Sequence, residues 1–268
     1  MDIIEHLGDW RGTYARWRKS DDARKDEVGT YPWVTNTRAP FTPARRSLPM
    51  LNLALISSAG AYIDGTEPFD MEAADGDLTF REIPQEIEAE DLLFCARGYD
   101  PASVHSDLNA QIPLTRLQEF ERNGVLGRLN PVWWSFCGFV PDARQMVEVL
   151  AANMARRIKE NEVQAALLIP ASRLCHQSMG LLARVLESEG IPTMTLAVDR
   201  EVANNVKAPR TAFYKGQLGA VAGLPDAGEY QRRVLDEALR LIEPMDQPTL
   251  RPLSVVLETE VEVARGER

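Results

Sequence analysis

Residues 165–193, AALLIPASRLCHQSMGLLARVLESEGIPT, constrain the fold of this chain more than any other stretch. Ala165–Ile169 is an unbroken apolar run, followed by a short turn carrying Ser172, Cys175 and His176. Met179, Leu182, Val185 and Leu186 then keep helical spacing, and Gly190-Ile191-Pro192 returns the chain to a second strand, Thr193–Val198. Strand, turn, amphipathic helix and strand in this order imply parallel strands joined by a crossover helix. The crevice beyond the carboxyl end of such a strand is where open α/β sheets bind ligands. A thiol in the first helical turn faces unpaired backbone N–H groups, which favour its thiolate form. Cys175 is also readable as a buried small residue, because free cysteine is among the most buried residue types, although its place in the turn favours the reactive reading.

The same alternation extends over most of the chain. Strands are expected at Leu51–Ser57, at Leu78–Ile83 as an edge strand, at Asp91–Ala96 as a buried strand and at Val132–Cys137. Helices are expected from Pro113 to Gly124, after Asp142 as N-cap with Met146, Val149, Leu150, Met154 and Ile158 inward, and at Glu229–Ile242. The expectation is an α/β fold: a doubly wound, mostly parallel sheet with helices on both faces, plus an N-terminal arm. The boundaries read as an arm over residues 1–48, an α/β domain over 49–245 that could divide into two lobes near 140, and a tail over 246–268. The tail is β-prone from LSVVLETEVEV onward and could add an edge strand or stay loose. The arm holds Trp10, Trp17 and Trp33 around the charged run SDDARKDE. Its aromatics could pack on their own domain or wrap a second copy, and interface enrichment of aromatics favours a homo-oligomer through the arm.

A net charge of −10 argues against nucleic acid or an anionic membrane as partner, and no apolar run approaches the roughly 18 residues of a membrane span. MDIIEHLGDWRG lacks a basic flank and apolar stretch, so a cytoplasmic, reducing setting is expected. Three cysteines and three histidines form neither a disulfide framework nor a zinc pattern, and no glycine-rich nucleotide turn occurs, so no metal or cofactor is expected.

Three strand ends carry polar clusters: SSAGAY at 57–62, CARGYD at 95–100 and PASRLCHQ at 170–177. In a parallel sheet these ends would share one edge and converge on one crevice. Ser57, Ser58 and Gly60 read as a turn or an anion site. Arg97 and Asp100 could bind substrate or pair with each other, and Tyr99 could be a packed aromatic. Cys95 is balanced between an inert and an active thiol. His176 does not face Cys175 merely by adjacency, so it could act on a ligand or cap the turn. His105, with Asp107 and Asn109, reads as a solvated, side-chain-capped loop.

Five blocks carry a family resemblance: SSAGAYIDGTEPFD (57–70), DLTFREIP (77–84), RGYDPASVHSDLNAQIPLTRLQEFERNGVLG (97–127), SFCG (135–138) and LCHQSMGLLARVLESEGIPT (174–193). In their order they resemble the selenoprotein B family of glycine, sarcosine, betaine and D-proline reductases, most closely the D-proline type. The resemblance implies reductive cleavage of a carbon–nitrogen bond α to a carboxyl group. It also implies a selenocysteine three residues before a cysteine, at the turn matching 172–175. Here the cysteine is Cys175 and the histidine His176, but Ser172 holds the selenocysteine position, and Ala96 stands where the family often has histidine. A serine hydroxyl cannot replace a selenolate as a soft nucleophile. The leading expectation is therefore a selenium-free, thiol-dependent reductase acting on a small amino-acid-like carboxylate, supplied with electrons by a thiol/disulfide partner protein. Cys175 would react, Cys95 would resolve, His176 would serve as acid or base, and Ser172, Arg173, Ser58, Arg97, Tyr99 and Asp100 would bind substrate. Two further readings remain open: a cofactor-independent two-cysteine racemase, similar to the aspartate/glutamate type, and a degenerate, non-catalytic subunit of a reductase complex.

Overall fold

The structure is a computed structural model that describes residues 1–255. An α/β sheet organises it. Its central strands β1 (Asn52–Ser57) and β7 (Ala165–Ile169) are almost wholly apolar and buried, as strands covered on both faces must be. The remaining strands are β2 (Ala61–Ile63), β3 (Arg81–Pro84), β4 (Leu92–Phe94), β5 (Arg128–Leu129), β6 (Val132–Ser135), β8 (Thr193–Ala197), β9 (Arg210–Phe213) and β10 (Thr249–Pro252). The sheet runs β10-β9-β8-β7-β1-β6-β3, with β5 also beside β1. All its pairings are parallel except that of β3, which closes the edge antiparallel to β6.

Helices cover both faces. They are α1 (Leu7–Trp17), α2 (Asp21–Arg24), α3 (Ala102–Ser106), α4 (Leu114–Arg122), α5 (Ala143–Gln145), α6 (Ala152–Glu160), α7 (Arg173–Ser188), α8 (Arg200–Val206) and α9 (Gly228–Arg240). Successive strand residues point to opposite faces. Ala54, Ile56, Ala166 and Leu168 accordingly join a core with α1, α6 and α7, whereas Leu53, Leu55, Leu167 and Ile169 pack with α4 and α9. Between α5 and α6 the backbone takes a π-helical stretch, Met146–Ala151. Met146 and Leu150 stay buried there, while Val149, expected inward, is exposed. The extra residue per turn rotates it off the core face.

Three expectations change. The Asp91–Ala96 run does form a strand, but β4 pairs antiparallel with β2 in a separate two-stranded ribbon, outside the parallel sheet. Helix α8 and strand β9 lie in a stretch to which the sequence assigned no element. The tail contributes β10 as an edge strand at Thr249–Pro252, whereas most of LSVVLETEVEV lies outside the described residues.

The arm packs on its own domain. Trp10, Tyr14 and Trp17 are buried and stack in succession, and buried Tyr31 meets Trp17 edge-to-face. Arg184 of α7, wholly buried, donates to the carbonyls of Asp2, Ile3, Arg38 and Lys207. Glu187 and Arg210, each with a fully buried side chain, pair at 2.5 Å, and Glu187 also accepts from the N–H of Thr42 and from Thr193. Trp33 is half-buried, beside Tyr31 and beneath the Arg173 guanidinium.

Candidate functional site

The order of the sheet makes the site. From β1 the chain builds β6 on one side, then crosses to the other side for β7, β8, β9 and β10. Such a reversal splays the loops that leave the carboxyl ends of the two flanking strands, here β1 and β7. The register aligns Ser57 with both Ser135 and Ile169, so the chain leaves three neighbouring strands at one level. Ser58, Cys137 and the Ala171–Cys175 turn follow directly.

Ser172 is the N-cap of α7, and its hydroxyl accepts from the Cys175 N–H at 3.1 Å. Serine suits that place because its short side chain reaches back to an otherwise orphaned helix N–H. The same hydroxyl lies 3.0 Å from Cys175 Sγ, to which it can donate, and Sγ lies 3.9 Å from the Ser58 carbonyl. The Ser58 hydroxyl accepts from the Ala171 N–H at 3.0 Å, locking the β1 loop to the β7 turn. Gly138 fits beneath: a Cβ there would stand 2.3 Å from Ser58 Cβ and 2.8 Å from Cys175 Sγ.

His176 is buried, with both ring nitrogens engaged. Nδ1 lies 2.7 Å from the Ser172 carbonyl, which only accepts, so Nδ1 carries the proton. Nε2 accepts from the N–H groups of Val198 and Asp199 at 3.1 and 3.3 Å. Burial holds the ring neutral, with its pKa lowered to about 4. It braces the start of α7 against the end of β8. Of the two readings of His176, the turn cap has this geometry, and the acid–base role has no free nitrogen.

The CARGYD block reaches the same place by another route. The Cys95 N–H donates to the Gly60 carbonyl at 2.9 Å, and the Tyr99 hydroxyl donates to the Ala59 carbonyl at 2.7 Å. Gly98, with φ of +81°, lies against Phe139 and Ser172; a Cβ there would approach Ser172 Oγ to 3.4 Å and Phe139 to 2.7 Å. Ser58, Tyr99, Ser172 and Cys175 are therefore neighbours, whereas the Cys95 thiol lies 3.7 Å from the Phe69 carbonyl. Arg173 and Asp100 turn elsewhere. Arg173 pairs with Asp199 at 2.6 Å and Glu201 at 3.2 Å. Arg97 pairs with Asp26 of the arm, not with Asp100. Asp100 is exposed and accepts from the Ala102 N–H at the start of α3.

Cys137 is the residue the sequence reading passed over. It follows the strand beside β1 by two residues, its Sγ lies 3.7 Å from the Cys95 carbonyl, and the next residue, Gly138, lies against Ser58 and Cys175 Sγ. Its signal was present in SFCG: a thiol and a glycine just after an apolar strand. Burial pushes the Cys137 thiol up to about 12 and also raises that of Cys95. Relative exposures of 0% for Cys175, 3% for Cys137 and 8% for Cys95 place all three thiols under cover. Among the described residues no group of three His, Cys, Asp or Glu side chains is placed to hold a metal, and no helix is long and apolar enough to cross a membrane.

The glycine/sarcosine/betaine reductase selenoprotein B family matches residues 27–171, just over half of the sequence. The chain belongs to that family. The match includes the strand ends carrying Ser58, Cys95, Tyr99 and Cys137 and stops immediately before Ser172. The D-proline reductase subunit gamma of Acetoanaerobium sticklandii is 29% identical over 200 residues, 75% of this chain and 81% of that subunit. The glycine reductase complex component B subunit gamma of Symbiobacterium thermophilum is 27% identical over 82% of this chain and 53% of its own length. A sarcosine reductase complex component B subunit beta from Peptoclostridium acidaminophilum is 25% identical over 67% of this chain and 42% of its length. The chain thus spans four-fifths of the D-proline reductase subunit but about half or less of the other two. No solved structure matches.

Proposed function

We propose that this chain is the thiol-bearing subunit of a selenium-free reductase that cleaves a carbon–nitrogen bond α to the carboxyl group of a small amino-acid-like substrate. The convergence of Cys175, Cys137 and Cys95 at the carboxyl ends of neighbouring elements, with Cys175 in the first turn of α7, carries this reading. Ser172 is then a cap and hydrogen-bond donor to sulfur rather than a nucleophile. Membership of a family whose similar proteins are subunits of reductase complexes supports a multi-subunit setting.

In the net step the C–N bond breaks, carbon and nitrogen each gain a hydrogen, and two thiols become one disulfide, which supplies the two electrons. A dithiol partner protein then reduces that disulfide. Cys137, whose neighbour Gly138 lies against Cys175 Sγ, is the resolving thiol in place of Cys95. The test is release of amine or ring-opened product from D-proline, glycine, sarcosine or betaine, in the presence of a dithiol reductant and co-purifying proteins. Turnover is expected to vanish in Cys175→Ala, and undiminished turnover in that variant refutes the reading. Full burial of the three thiols favours a second reading, a non-catalytic binding subunit. That subunit predicts no turnover with any of the four substrates and no native alkylation of Cys175 by iodoacetamide.

A further inference from the structure

Arg97 presents a planar fork beside the thiols, and an arm carboxylate fills it. Its Nε and Nη2 donate to the two carboxylate oxygens of Asp26 at 2.6 and 2.7 Å. The remaining edge is fixed from the protein side: Nη1 donates to the Ala73 carbonyl at 2.7 Å, and the guanidinium lies 4.7 Å from the centre of the Phe139 ring. The fork is therefore held in place by the domain, independently of whichever carboxylate meets its open edge. Two parallel N–H donors are the geometry that recognises a carboxylate. The location is also specific. Its guanidinium lies over Phe139, two residues beyond Cys137, and the next residue, Gly98, lies against Ser172, whose hydroxyl touches Cys175 Sγ.

The occupant is weakly anchored. Asp26 stands at φ +58°, a left-handed conformation that side chains rarely adopt. Between Trp17 and Tyr31 only Ala23 is buried and Val28 packs partly buried against the core, so the segment bearing Asp26 has few apolar contacts to hold it down. The Asp26 side chain remains 34% exposed against 11% for Arg97. A fixed, largely buried fork and a loosely held carboxylate differ in what each requires of the other. The fork needs an anion, and the arm segment needs only a place to rest.

We propose that Arg97 is the anchor for the substrate carboxylate and that Asp26 is an internal stand-in that occupies the anchor until substrate displaces it. This rests on the thiol-reductase reading and adds how substrate is held and why the thiols lie covered in the resting chain. Displacement of Asp26 would free the arm segment over Arg97 and open the way to the Gly98–Ser172 contact.

Asp26→Asn keeps the size and the turn preference of the residue and removes its charge. In the full chain carrying that change, sodium propionate is expected to raise Tm saturably above matched sodium chloride, because a ligand bound only by the folded state stabilises it. The rise should be absent in Asp26→Asn/Arg97→Gln and small in the parent, where Asp26 competes. A second readout places the anchor near the thiols. Iodoacetate and iodoacetamide alkylate by the same displacement of iodide by sulfur, but only iodoacetate carries a carboxylate. In Asp26→Asn the iodoacetate-to-iodoacetamide rate ratio at Cys137 or Cys175 should rise roughly tenfold, propionate should suppress it, and Arg97→Gln should abolish it. No Arg97-dependent propionate response overturns the proposal. A propionate response accompanied by labelling with no preference for iodoacetate also overturns it, by placing the anion away from the thiols. Cysteines inert to both reagents count against the thiol-reductase reading, and the propionate response then decides the anchor alone.

Discussion

Because His176 is neutral and braced on both sides, acid should weaken this protein through one identifiable group. Buried, its pKa is lowered to about 4, whereas in the unfolded chain an imidazole returns to about 6.5. Between those values the unfolded state binds a proton that the folded state refuses, so stability must fall as pH falls through this window. Integrating the proton uptake from pH 7 to pH 5 gives a loss of about 2 kcal/mol, and the full window gives roughly 3 kcal/mol. The assay is urea unfolding at pH 7 and pH 5, for the parent and for His176→Gln. Glutamine can still bridge the α7 turn and the β8 end but does not titrate. The variant's absolute stability is immaterial, because only the change with pH is compared. The parent should lose about 2 kcal/mol more than the variant over that interval. Equal losses refute the neutral brace, and a parent that gains stability towards pH 5 would mean a charged imidazole in the fold.

Two further outcomes follow from the same contacts. Ser172→Ala removes the N-cap of α7 and leaves the buried Cys175 N–H without its acceptor; the expected cost is about 1–2 kcal/mol, read as a Tm lowered by roughly 2–6 °C, and no measurable change would refute the capping role. Glu187→Gln strips the buried Arg210 of its counter-charge and should lower stability by about 3–5 kcal/mol in urea unfolding, whereas the pair Glu187→Leu/Arg210→Met should recover most of that loss; a double variant as unstable as the single one would contradict the charge argument.

How much of this was legible depended on whether a signal was local. The unit from β7 through α7 to β8 reads directly, because its apolar runs, its serine cap and its Gly-Ile-Pro turn are contiguous. The β4 run was legible as a strand but not as a member of the β2 ribbon, since an apolar triplet does not specify its pairing partner. REVANNV and RTAF were passed over because each is short and has too few apolar positions to show a period, and packing against α7 and β8 decides them. Cys137 shows the limit at the site. Its strand-end position was visible, but its nearness to Cys175 follows from β6 and β7 flanking β1, an order that no local pattern encodes. The neutral state of His176 was equally hidden, because its acceptor contacts come from backbone groups 22 and 23 residues away.

The cover over the thiols is assembled from pieces far apart in sequence, and this bears on how the site would work. The Gly98 backbone lies against both Ser172 and Phe139, and the Ala73 carbonyl and Asp26 hold Arg97. Excluding water raises the Cys137 and Cys95 thiols and so keeps them protonated, which protects them from oxidants that need a thiolate. The same burial strengthens any interaction with a charge brought inside. A substrate that carried a carboxylate to Arg97 would displace a charge already present rather than add one, so the fork would remain neutralised throughout the exchange. Entry then costs little electrostatically, and the part of the cover that must move is the arm segment bearing Asp26.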